Sequence, residues 1–156
     1  IGRYFGVADE RIAEAILSFS PDNNRSQAVK TERNQLVVDC YNANPSSMEV
    51  ALDNISTMEA EHKVLILGDM LELGEWSEEA HINILHKADG IAERIILVGK
   101  EFAKAYEKSD MLQSNYALYH TTTEALEALS NKSISDSLVL LKGSRGIALE
   151  KLINIL

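Results

Sequence analysis

At 156 residues the chain has the size of one domain, and its 46% hydrophobic content supports a true core and argues against a disordered or low-complexity tract. A net charge of −9 at pH 7, with no basic stripe to offset it, argues against a nucleic-acid or anionic-membrane partner. No apolar run approaches the ~20 residues needed to cross a bilayer. The single cysteine, Cys40, has no disulfide partner and fits a reducing, cytoplasmic compartment.

The chain begins Ile1-Gly2 without an initiator Met and is expected to be a piece of something longer. Val7–Phe19 places Ile12, Ala15, Ile16 and Phe19 at helical spacing, with Asp9 and Glu10 in the first turn, and is expected to close a preceding unit. Ser20-Pro21-Asp22-Asn23-Asn24 is the densest loop signal and reads as a linker. Arg25 follows at once. Ser26–Thr31 and Gln35–Cys40, joined by Glu32-Arg33-Asn34, are predicted to pair as a hairpin.

From Leu36 onward strands and helices alternate. The predicted strands are Leu36–Cys40, Lys63–Leu67, Arg94–Val98, Tyr116–Tyr119 and Leu138–Leu141. The predicted helices are Ser47–Met58, Glu78–Ala88, Glu101–Lys108, Thr123–Leu129 and Ile147–Ile155. Strict alternation predicts an α/β fold, a Rossmann-like, mostly parallel sheet with helices on both faces and one antiparallel edge strand.

In such sheets ligands sit outside the carboxyl ends of the strands, and four strand ends carry unusual residues. Asp39 closes the first apolar run and is followed by Tyr41, Asn42 and Asn44. Pro45 suits a helix start, and Asn44 or Ser46 is a natural cap for it. The second strand runs into Gly68-Asp69-Met70-Leu71-Glu72-Leu73-Gly74, with Ser77 and His81 beyond, and the third into Gly99-Lys100. The last runs into Lys142-Gly143-Ser144-Arg145-Gly146, where two cations and a hydroxyl could receive a carboxylate or phosphate at a helix N-terminus. The competing reading is a glycine-supported turn with Ser144 as its cap.

None of the glycines builds a phosphate loop. Gly99-Lys100 has the last pair of G-x-x-x-x-G-K-[ST], but Arg94 and Glu101 stand where a glycine and a hydroxyl belong. Asp69, Glu72 and His81 match no zinc or calcium spacing. Ser77 reads as an N-cap, His81 stays undecided, and His62, His86 and His120 show no partners in the sequence.

Taken together, NNRSQ at 23–27, DCYNANPSSM at 39–48, LGDMLELGEWSEEAH at 67–81 and LLKGSRG at 140–146 resemble the C-terminal domain of the Mur ligases over nearly the whole chain. The resemblance implies residues 1–22 as the tail of a central ATPase domain with its linker, and 23–156 as the C-terminal domain, inactive alone. It implies an ATP-dependent carboxylate–amine ligase of peptidoglycan synthesis. ATP would phosphorylate the carboxylate of UDP-N-acetylmuramoyl-tripeptide, and the amine of D-alanyl-D-alanine would attack the acyl phosphate. The phosphate loop, the catalytic lysine and the Mg2+ ligands would lie in the central domain. Carried over by position, Arg25 would reach the ATP phosphates as the catalytic cation, and Asp39 would accept from the ATP ribose hydroxyls. Asn42 and Asn44 would lie near the nucleotide, and Lys142, Ser144 and Arg145 would hold the dipeptide carboxylate. The alternatives are another Mur-type, folyl- or cyanophycin-type ligase domain, or a non-catalytic α/β binding module.

Overall fold

The computed structural model describes residues 1–18, 26–111 and 115–156. The expected linker at 20–24 and Arg25 lie outside the described residues. Six strands among those described form one sheet: β1 (Gln27–Lys30), β2 (Gln35–Asp39), β3 (Lys63–Gly68), β4 (Arg94–Val98), β5 (Tyr116–Tyr119) and β6 (Leu138–Lys142). Their spatial order is β1-β2-β6-β3-β4-β5. The predicted hairpin forms, with β1 antiparallel to β2 from Gln27↔Val38 to Lys30↔Gln35. Every other pairing is parallel.

The helices are α1 (Asp9–Ser18), α2 (Pro45–Thr57), α3 (Ser77–Ala88), α4 (Lys100–Lys108) and α5 (Thr122–Asn131). The strand period of two divides their work. Leu65, Leu67, Leu138 and Leu140 face a core shared with Met48, Leu52 and Ile55 of α2, Ile84 and Leu85 of α3, and Phe102 of α4. The alternate residues Val64, Ile66, Val139 and Leu141 face a second core with Ala125 and Leu129 of α5 and with Leu149 and Leu152. Helix α2 shows how locally this is written. Asn44 caps it, its Oδ1 accepting from Ser47 N at 2.9 Å, and Pro45 occupies the first turn. Met48, Leu52 and Ile55 then recur at intervals of four and three, each at most 1% exposed and each contributing about 1.5–3 kcal/mol by burial.

Three expectations need correction. The segment Ile147–Ile155 is not an α-helix: 3-10 turns at Arg145–Ile147 and Leu149–Ile155 flank Ala148, which is left-handed at φ 60. Leu149 and Leu152 are both buried, and a spacing of three lines up on one face of a 3-10 turn. Ser77 lies inside α3 and is not its cap, because a 3-10 turn at Gly74–Trp76 runs straight into the helix. Its hydroxyl donates to Glu101 Oε2 at 3.2 Å instead. His62 does have a partner, Glu93 Oε2 at 3.1 Å, whose carboxylate raises the imidazole pKa.

Cys40 is 2% exposed. Burial, then the nearby charges of Glu150 and Asp39, push its thiol from an ordinary 9.0 to about 12. The unfolded chain releases this proton near 9.0 while the folded chain holds it to about 12, so stability is complete below that range and falls as pH rises through it. Iodoacetamide at mildly alkaline pH is therefore expected to leave the native thiol unmodified and to alkylate it in denaturant. Intact-mass analysis checks this, and rapid labelling of the native chain would contradict it.

Candidate functional site

Parallel strands bring their carboxyl ends to one rim. In the register, Asp39 of β2 lies beside Lys142 of β6, and Lys142 beside Leu67 of β3. Lys142 continues the row of Leu138 and Leu140 toward the first core, so its side chain points inward and is 1% exposed. A buried ammonium needs acceptors, and it has two: Asp39 Oδ2 at 2.8 Å and the Asn42 carbonyl at 2.8 Å. The Asp39 side chain keeps 18% exposure, so it sits at the rim and not in the interior.

The neighbouring polar residues divide between scaffold and surface. Asn42 Oδ1 accepts from Ala43 N at 2.9 Å, and the Asn44 side chain is spent on the α2 cap. Ser144, 6% exposed, accepts from Leu71 N at 2.9 Å through its hydroxyl. Its own N–H donates to the Asp69 carbonyl at 3.1 Å. Arg145 is exposed, with its guanidinium 5.5 Å from the centre of the Tyr41 ring. 3-10 turns and no α-helix follow this turn, so the helix N-terminus expected here as an anion site is absent, and Arg145 is the exposed cation of the turn. Gly143 is required by close approach: a Cβ there would stand 2.9 Å from Gly68 Cα on the adjacent strand.

Two residues without a role in the sequence acquire one. Asp69 is 3% exposed. Its carboxylate accepts from Glu101 N at 3.0 Å and Phe102 N at 2.9 Å. It thereby caps α4, which starts after Gly99 with no side-chain cap of its own. His81 is fully buried. Met70 N–H donates to its Nε2 at 3.0 Å, which places the ring proton on Nδ1, 2.6 Å from the Ser77 carbonyl. The imidazole thus pins the loop after β3 to the first turn of α3, and packs T-shaped against Phe102 with ring centroids 4.6 Å apart. The one available signal for Asp69 was indirect, namely a helix that begins Gly99-Lys100 without Ser, Thr, Asp or Asn. Among the described residues, no group of three His, Cys, Asp or Glu is placed to hold a metal ion.

The geometry is that of an α/β domain with an acid and a basic turn on one rim, and the sequence matches the family described as "Mur ligase, glutamate ligase domain" over residues 24–145. The chain belongs to this family. This Mur ligase domain is 37% identical over 150 residues to the UDP-N-acetylmuramoyl-tripeptide–D-alanyl-D-alanine ligase of Treponema pallidum, covering 94% of this chain and 32% of that protein. It is 31% identical over 163 residues to the enzyme of the same name from Bacillus subtilis, covering 97% and 34%. Among solved structures, MurF from Acinetobacter baumannii superposes with a TM-score of 0.82 at 27% identity, covering 96% of this chain and 34% of that one. The Mur ligase domain thus spans about a third of the length of these relatives. The mostly parallel sheet with one antiparallel edge pair is the fold expected from the sequence.

Proposed function

We propose that this domain serves a cytoplasmic, ATP-dependent ligase that adds D-alanyl-D-alanine to UDP-N-acetylmuramoyl-tripeptide during peptidoglycan precursor synthesis. Residues 1–22 then belong to a central ATPase domain and its linker, and 23–156 to the part that closes over ATP and the dipeptide. The observation that carries the reading is the shared rim: Asp39 and the 142–146 turn lie side by side at the strand ends, where α/β sheets receive ligands. The names of the relatives over 94% and 97% of the chain support the choice of substrates.

ATP supplies the phosphoryl group that activates the tripeptide carboxylate, so that the dipeptide amine can displace phosphate and form the amide. The residues of this chain bind and orient. One oxygen of Asp39 is held by Lys142, and the other accepts nothing from the described residues, which suits it to the ribose hydroxyls. Asn42 and Asn44 shape the adjoining loop. Arg25, within the family match over residues 24–145, takes the role of the cation that meets the phosphates on closure, stabilising the charge that develops there. Mg2+ is assigned to the ATPase domain. Of Lys142, Ser144 and Arg145, the exposed Arg145 is the cation that meets the dipeptide carboxylate, and Ser144 holds its turn in place.

In the full-length ligase, Arg145→Ala is expected to raise the KM for D-alanyl-D-alanine about 10- to 100-fold, the loss of one charge-assisted contact, and to leave the KM for ATP nearly unchanged. Steady-state assays with the dipeptide and with single D- and L-amino acids read both the role and the substrate. Equal use of a single amino acid, or an unmoved dipeptide KM, would sink the proposal.

A further inference from the structure

We propose that Lys142 is a positioning residue for the nucleotide half of the site, aiming the Asp39 carboxylate at the ribose and tying down the Asn42 loop, and that it does not itself bind the dipeptide. This rests on the reading of Asp39 as the ribose acceptor. Three observations carry it. The ammonium lies below the rim at 1% exposure, on the inward-facing row of β6, whereas an incoming carboxylate would meet the exposed Arg145 first. Both of its acceptors, Asp39 Oδ2 and the Asn42 carbonyl, belong to the segment that ends β2 and leads to α2. The next two residues of its own segment are committed elsewhere, Gly143 to the backbone of Gly68 and Ser144 to the loop after β3.

The consequence is a division of labour within one turn. A carboxylate on a short side chain turns about two bonds, and an acceptor aimed at a pair of hydroxyls must be held in one orientation to discriminate. Fixing Oδ2 leaves Oδ1 as the acceptor that remains. The same ammonium holds the Asn42 carbonyl, so the loop beside the nucleotide and the carboxylate move as one body. Lys142 thus serves the 39–42 segment, while the exposed Arg145, three residues on, is left to the dipeptide.

The test uses the full-length ligase and compares kcat/KM for ATP with that for 2′,3′-dideoxy-ATP, which lacks both ribose hydroxyls. The unmodified enzyme is expected to prefer ATP by about 10-fold or more, and Asp39→Asn to lose most of that preference. Lys142→Met is expected to bring the ratio within about 2-fold of the Asp39→Asn value, to raise the KM for ATP, and to leave the KM for D-alanyl-D-alanine within about 2-fold of the unmodified enzyme. The double variant should fall no further than either single one, since both act through one carboxylate. A Lys142→Met enzyme that keeps the full preference overturns the proposal, as does one whose dipeptide KM rises while the preference stays. If Asp39→Asn still discriminates, the reading of Asp39 fails and the inference with it, and that failure shows in a variant where Lys142 is intact. Thermal melts accompany each variant. Should Lys142→Met fail to fold, Lys142→Gln decides, because its donor nitrogen is uncharged and one bond nearer the backbone and so holds the carboxylate more weakly: a reduced preference supports the proposal and an unchanged one overturns it.

Discussion

Asp69→Ala is expected to destabilise the domain by about 3 kcal/mol, although Asp69 lies in a loop. Its carboxylate accepts the backbone N–H of both Glu101 and Phe102, and hydrogen bonds to a charged group contribute about 1.5–3 kcal/mol each. The two share one side chain and one helix end, so they do not simply add. With 3% exposure, little water can replace the lost acceptor. At about 2–4 °C per kcal/mol for a domain of this size, the melting midpoint should fall by roughly 6–12 °C. Asp69→Asn keeps one acceptor oxygen and should lose about half as much. A loss below about 0.5 kcal/mol in denaturant titration would show that the first turn of α4 finds acceptors elsewhere.

Gly99→Ala is expected to cost more, about 4 kcal/mol or above. Gly99 has φ +131, and a Cβ there would stand 2.2 Å from the Asp69 carboxylate. Backbone strain of this kind costs about 1–3 kcal/mol alone. The steric term adds the loss of the α4 cap, because the carboxylate must move to make room. These contributions separate in a double variant. Asp69→Ala/Gly99→Ala should be less destabilised than the sum of the two single changes, the strain remaining while the clash disappears. Denaturation of the three variants reads the coupling. Strict additivity would mean that the alanine does not displace Asp69.

The extent to which all this was legible in the sequence follows from how local each signal is. The β1–β2 hairpin and the alternating strands rest on apolar run lengths and turn residues that act within a few positions. The α2 cap rests on Asn44-Pro45 alone. The common rim of Asp39 and Lys142 follows from strand direction, which alternation implies. The final segment failed because Leu149 and Leu152 suit an α-helix and a 3-10 turn alike. Ala148 reaches φ 60 with no glycine or asparagine to announce it. The burial of Lys142 was hidden for another reason. The row of Leu138 and Leu140 predicts its face, but the Asn42 carbonyl that covers it comes from a segment about a hundred positions away. Asp69 and His81 were opaque in the same manner, their partners being backbone groups, and backbone groups carry no letter in a sequence.

The place of β6 in the sheet has a bearing on synthesis. The strand that bridges β2 and β3 is the last of the six to leave the ribosome. Until residues 138–142 emerge, no strand pairs the β1–β2 portion with the β3–β5 portion, and each presents an unpaired edge to its surroundings. Completion of the sheet is therefore a late, long-range event of the slow-folding kind, and a nascent chain stalled before Leu138 would be a ready client for chaperones.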